Sequence, residues 1–176
     1  MSEPSFALSE KEATLSNINL RTERHGDEKV RAVDISIETR AENTILDALA
    51  KGLKESFFRK PGKGEQPDLP NISPNNLTQV SHPFLGPQKL PQHSFEGYEL
   101  EIAGLLDHVE PVLLVDVKLK KFEFKPLEGG FVHLEFTASA SDITAEELLQ
   151  LNEAQLRETA RITLKRPDEQ EQKQAA

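Results

Sequence analysis

The sequence predicts an α+β fold: mainly an antiparallel twisted sheet or partly open barrel of about six strands, with two helices, in the order β-β-α-β-β-β-α-β. Three observations carry this. Apolar and polar residues alternate with period two in segment after segment. Thr44 and Thr144 each stand three residues before a carboxylate and open a run of helical periodicity. No strand–helix–strand rhythm recurs, which removes a parallel sheet.

The elements follow in order. Ile18 and Leu20 alternate with Asn17, Asn19 and Arg21; Val33, Ile35 and Ile37 alternate with Asp34, Ser36 and Glu38. Between them His25-Gly26-Asp27-Glu28 permits a tight reversal, so the pair reads as a β-hairpin. Thr44 with Asp47 is an acidic variant of the capping box, with Asn43 the alternative cap. Ile45, Leu46, Leu49, Leu53 and Phe57 then share one helical face. Phe58 falls on the polar side and needs cover from the connector that begins at Pro61. Tyr98, Leu100 and Ile102 form a strand, and Leu113, Val115, Val117 and Leu119 the next. Lys120-Lys121 shifts the apolar parity to Phe122 and Phe124, which requires a β-bulge if both sets are to face one side. Pro126 to Gly130 turns the chain into Val132, Leu134, Phe136 and Ala138. Thr144 with Glu147 makes a capping box for a helix carrying Leu148, Leu149 and Leu151, and Ala160, Ile162 and Leu164 form the last strand.

Residues 1–11 and 167–176 are expected to be disordered, leaving a single domain over 12–166. Residues 61–93 hold seven of the eleven prolines, so neither helix nor strand is expected there. The spaced Leu69, Ile72, Leu77, Val80, Phe84, Leu85 and Leu90 favour a loop pinned across the surface over a linker between two modules.

Composition narrows the function classes. The 176 residues contain no Cys, which excludes disulfide scaffolds, Cys-ligated metal centres and thiolate nucleophiles. The longest strongly apolar run is Val112-Leu113-Leu114-Val115, far below the ~20 residues of a membrane-spanning helix. Met1 to Phe6 carries no secretory-signal pattern, so a cytoplasmic protein with no membrane partner is expected. Phosphate-loop, dinucleotide, zincin and nucleophile-elbow motifs are all missing. His25-Gly26-Asp27-Glu28 and Asp107-His108-Val109-Glu110 have metal-ligand composition, but a turn uses the same residue types for backbone reasons. His133, between Val132 and Leu134, belongs on the outer face of its strand. No catalytic residue, metal or cofactor is expected, and an enzyme is the least favoured class.

Charge is more informative. Lys and Arg number 21 against 30 Asp and Glu, a net charge of −9. Glu96, Glu99, Glu101 and Glu110 lie in a stretch without Lys or Arg, a candidate surface for a basic protein partner. Lys118, Lys120, Lys121 and Lys125 form the one Lys-dense strand, a candidate track for single-stranded DNA with Phe122 or Phe124 as stacking platforms. The net charge opposes sequence-independent nucleic-acid binding, which is largely phosphate neutralisation.

Asn19 to Glu28 leading into Val33-Asp34-Ile35-Ser36-Ile37, then Phe95-Glu96-Gly97-Tyr98, Phe122 to Gly130 and Arg161-Ile162-Thr163-Leu164 resemble a loosely defined group of small acidic proteins of tailed bacteriophages and prophages. The resemblance implies a bacterial host cytoplasm and carries over no functional residue. The leading expectation is a non-enzymatic phage-type accessory protein acting through protein–protein contacts. The alternative is a single-stranded-DNA-binding factor of phage DNA replication or recombination.

Overall fold

The computed structural model describes residues 5–62, 77–103, 110–157 and 159–167. The chain opens with two long antiparallel strands, β1 (Leu8–His25) and β2 (Glu28–Glu42), joined at Gly26-Asp27, where His25 pairs with Glu28 and Gly26 takes φ 67°. Two short helices follow, α1 (Ile45–Leu49) and α2 (Leu53–Phe57). Then come β3 (Phe58–Arg59), β4 (Gln79–Val80), β5 (Gln88–Leu90) and the longer strands β6 (Phe95–Ala103), β7 (Val112–Leu127) and β8 (Phe131–Ser141). Helix α3 (Ala145–Leu156) and β9 (Ala160–Lys165) complete the order.

Six strands run β7-β6-β9-β1-β2-β8, and β8 pairs back onto β7. The expected twisted sheet or partly open barrel is instead a closed six-stranded antiparallel barrel, with β5 an extra strand on β7. With three short helices among the described residues rather than the expected two, the chain is mostly β. Closure removes the free edges that an open sheet would have to protect. The inward positions are the alternating apolar sets: Val33, Ile35 and Ile37; Tyr98, Leu100 and Ile102; Val132, Leu134, Phe136 and Ala138; Ala160, Ile162 and Leu164. Phe6, Phe95, Phe122 and Phe136 pack as one aromatic group, with Phe6–Phe122 centroids 5.3 Å apart edge to face and Phe122–Phe136 at 5.7 Å.

Strand β7 corrects the predicted pattern. The bulge at Lys120-Lys121 is present: the pairing to β8 slips between Lys120 and Glu123, and Lys121 has φ 55°. A second bulge sits at Asp116 (φ 52°), so Val112 and Leu114 face inward while Leu113 and Val115 face solvent. The expected apolar set Leu113, Val115, Val117 and Leu119 is thus split. Four successive apolar residues leave the parity open, and the chain resolves it with an Asp, which tolerates the left-handed conformation better than most.

The first helix also differs from its prediction. It breaks at Ala50–Gly52, where Gly52 has φ 83°, into two single-turn pieces. Thr44 makes no side-chain cap; Asn43 instead donates from Nδ2 to the Leu77 carbonyl (2.6 Å), and Asp47 accepts from the Lys54 amide (3.2 Å) at the start of α2. At Thr144 the capping box forms as predicted, although Leu149 on that helix is exposed while Leu151 is buried.

Residues 61–93 contain β4 and β5, contrary to the expectation of no strand. Val80 of β4 pairs with Phe58 and supplies the cover that Phe58 requires. Val80 is buried and Leu77 and Leu90 pack against the core, as expected of pins, but Phe84 is 80% exposed and Leu85 is exposed too, so these two do not pin the segment. Leu69 and Ile72 lie outside the described residues. The N-terminus is ordered earlier than expected, since Phe6 is buried and β1 begins at Leu8; residues 168–176 lie outside the described residues.

The aromatic group sets the first test. Phe122→Ala should cost about 3–5 kcal/mol in urea unfolding, because three rings lose a packing partner. Phe84→Ala should change stability by less than about 0.5 kcal/mol, as expected for an exposed side chain.

Candidate functional site

An apolar barrel interior leaves the chemistry to the outer wall. The buried polar residues among those described are Thr39, Asn43, Thr78 and Thr137. Thr39 Oγ1 donates to the Glu12 carbonyl at 2.7 Å.

On the outside of β6 and β7, the ladder places Glu101 opposite Leu113, and both are exposed. Leu113 is 49% exposed and Val115 59%, two neighbouring apolar side chains on a wall that is otherwise polar. Glu96, Glu99 and Glu101 belong to the same outer face of β6, and Glu110 is exposed just before β7. Glu99 lies 3.7 Å from Lys165 Nζ, and Glu96 lies 3.6 Å from Lys118 Nζ. The last contact ties together the two surfaces that the sequence treats as alternatives.

The basic run is dispersed by its contacts. Lys118 faces Glu96, Lys120 lies 3.8 Å from Asp34, and Lys121 and Lys125 are exposed. Phe122 and Phe124 are 1% exposed and turned into the core, so neither offers a ring for a base to stack on.

Next to this wall lies a groove of about 620 Å³, lined by residues that include Arg21, Glu23, Val115, Asp116, Lys118 and Ser139. Strands β7 and β8 are paired from Lys118↔Ser139 onward, so the groove opens where they diverge. Its floor is a fixed network. Arg21 grips Asp34 with two bonds, Nε to Oδ2 at 2.8 Å and Nη2 to Oδ1 at 3.1 Å. Ser139 Oγ donates to Asp34 Oδ1 at 2.5 Å, and Glu23 accepts from Arg21 Nη1 at 2.6 Å and from Ser141 Oγ. Partial burial works against ionising Asp34, but the Ser139 and Arg21 bonds and the Lys120 charge outweigh it and lower its pKa. Glu23 is lowered chiefly by Ser141 and Arg21.

A third cluster lies on β2 and β8. Glu38 and Glu135 are direct cross-strand partners, and His133 is two residues before Glu135 on the same face. His133 Nε2 is 3.2 Å from Glu135 Oε1 and 3.7 Å from Glu38 Oε1. The hydrogen bond and like charge of Glu135, with partial burial, raise the Glu38 pKa. Alternation already puts Glu38 and His133 outside, but their meeting depends on β2–β8 register, which the sequence does not display. His25 stands at the hairpin end, 3.4 Å from Glu23, while Asp107 and His108 lie outside the described residues.

Among the described residues no helix is long and apolar enough to cross a membrane. Comparison with protein-family models, curated proteins and solved structures finds no match.

The Asp34 network predicts an acid-dependent stability term. Because the folded pKa lies below the ordinary 3.8, the contribution is complete above that value and disappears as pH falls through the folded pKa. Asp34→Asn should cost about 1–2 kcal/mol at pH 7. In denaturant unfolding from pH 7 to pH 2, the difference between the two proteins should shrink at the acid end.

Proposed function

We propose that the chain is a non-enzymatic accessory protein that works through protein–protein contacts, presenting the outer face of β6 and β7 to a basic surface of its partner. The observation that carries this is the exposed pair Leu113 and Val115 beside Glu96, Glu99, Glu101 and Glu110. Protein interfaces combine a small apolar centre with a polar rim. Here two apolar side chains provide the centre and carboxylates the rim. The ion pairs Glu96–Lys118 and Glu99–Lys165 are solvent-accessible and weak, so a partner's cations can exchange for them at little cost. The net charge of −9 favours approach by a basic surface over approach by nucleic acid. On the phage resemblance, the setting is an infected or lysogenic bacterium and the partner a host or phage protein.

A photo-crosslinking amino acid at Val115 should trap one discrete protein in the native host, and the same group at Leu156 on α3 should not. Reversing Glu96, Glu99, Glu101 and Glu110 to Lys should then slow association with that protein by about tenfold or more at low salt, because complementary charge acts mainly on the on-rate. Changing Lys118, Lys120, Lys121 and Lys125 to Gln should have little effect. Tight, salt-sensitive binding of single-stranded DNA, lost in the Lys→Gln protein, would overturn the proposal in favour of the nucleic-acid function. Equal crosslinking from both positions would overturn it as well.

A further inference from the structure

We propose that Glu38, His133 and Glu135 form a binding site for a divalent first-row transition ion, with Zn²⁺ the best fit. The site lies on β2 and β8 and does not depend on the docking function of the β6–β7 face.

The first support is ligand spacing. Zinc bonds of about 2.0–2.2 Å in a tetrahedron hold neighbouring ligand atoms about 3.3–3.6 Å apart. His133 Nε2 is 3.2 Å from Glu135 Oε1 and 3.7 Å from Glu38 Oε1, and the three ligand atoms all lie within 4.8 Å of one another. One imidazole nitrogen with two carboxylate oxygens suits a borderline ion better than Mg²⁺, which prefers an all-oxygen octahedron that retains water.

The second support is rigidity. Strands β2 and β8 keep an unbroken register from Ala32↔Ser141 to Glu42↔Phe131, and the three ligands sit inside it. The spacing is therefore set by backbone hydrogen bonds rather than by a loop, which lowers the ordering cost of binding.

The third support is charge. One row across the barrel runs Thr14, Glu38, Glu135, Glu123, so three carboxylates stand in succession. Like charges directly opposed across strands destabilise a sheet, and a bound cation removes that cost. Arg40, the cross-strand partner of His133, does not: it places its guanidinium over the Phe131 ring at 4.2 Å. Lys89 serves the far end of the row, 3.9 Å from Glu123. Finally, a concavity of about 280 Å³ opens on Glu38 and His133, enough for water to complete the coordination shell.

The full-length protein, freed of metal with a chelator, should bind one equivalent of Zn²⁺ in isothermal titration calorimetry and gain several degrees in Tm. Mg²⁺ at the same concentration should do neither. Co²⁺ should give visible absorption bands of a nitrogen- and oxygen-ligated ion. His133→Gln and Glu135→Gln should each weaken Zn²⁺ binding by roughly tenfold or more and remove the Co²⁺ bands. His25→Gln, at the hairpin turn, should leave both unchanged. Circular dichroism of the metal-free variants separates lost ligation from lost folding, and both side chains lie half-exposed on the outer wall. Absence of stoichiometric Zn²⁺ binding, or binding that survives both substitutions, would overturn the proposal.

Discussion

Closure of the barrel depends on β7. This strand pairs with β6 and β5 along one side and with β8 along the other, so it is the seam at which the sheet joins itself. A strand with strict alternation keeps one parity inward over its whole length. Over Val112–Leu127 the chain also has to follow a tightly curved wall, and its inward set changes twice: Val112 and Leu114, then Val117 and Leu119, then Phe122 and Phe124. Each change is made by one residue in the left-handed region, Asp116 and then Lys121. Bulges of this kind increase local twist, which a small barrel needs in order to close.

The outer surface inherits its character from the same two bulges. At Asp116 the parity change turns Leu113 and Val115 out of the core and places them beside Glu101. At Lys121 it brings Phe122 into contact with Phe6 and Phe136, so the most basic strand carries its rings on the opposite side from its charges. The two bulges thus supply an apolar spot where the carboxylates are and withhold one where the lysines are. That asymmetry favours a protein partner over a nucleic acid for this wall.

Most of the strand content was legible because each strand has one wet face, and the alternation of Ile35, Ile37, Leu100, Ile102, Leu134 and Ile162 records it. The hairpin at Gly26-Asp27, the bulge at Lys120-Lys121 and the cap at Thr144 were legible for local reasons of the same kind. Features set by distant contacts were not. Continuous apolar residues from Val112 to Val115 carry no phase, so the Asp116 bulge left no trace in the pattern. The helix break at Gly52 was hidden because Leu46, Leu49, Leu53 and Phe57 keep helical spacing across it; Phe57 nevertheless reaches Phe124, with centroids 5.0 Å apart. The connector strands β4 and β5 are too short to show alternation and form only because Phe58 and β7 offer them partners.

The candidate sites show the same division. Glu99 and Glu101 share one parity, so their common face could be read directly. Glu96 has the opposite parity and joins them only through the register shift at Gly97 (φ 73°), which the alternation does not show. Glu38 and Glu135 are brought together only by the β2–β8 ladder, and Asp34 meets Ser139 by the same pairing. These two contacts on one ladder differ in kind. Asp34 is opposite a hydroxyl and within reach of Arg21 and Lys120, so its charge is matched by protein groups. Glu38 is opposite another carboxylate, and among the described residues the one basic group against the pair is the His133 imidazole. A single imidazole nitrogen carries at most one proton to share between two carboxyl groups, so Glu38 and Glu135 remain acidic groups in direct opposition. The ladder therefore carries one acidic site matched by protein groups and one that the proposed cation would balance.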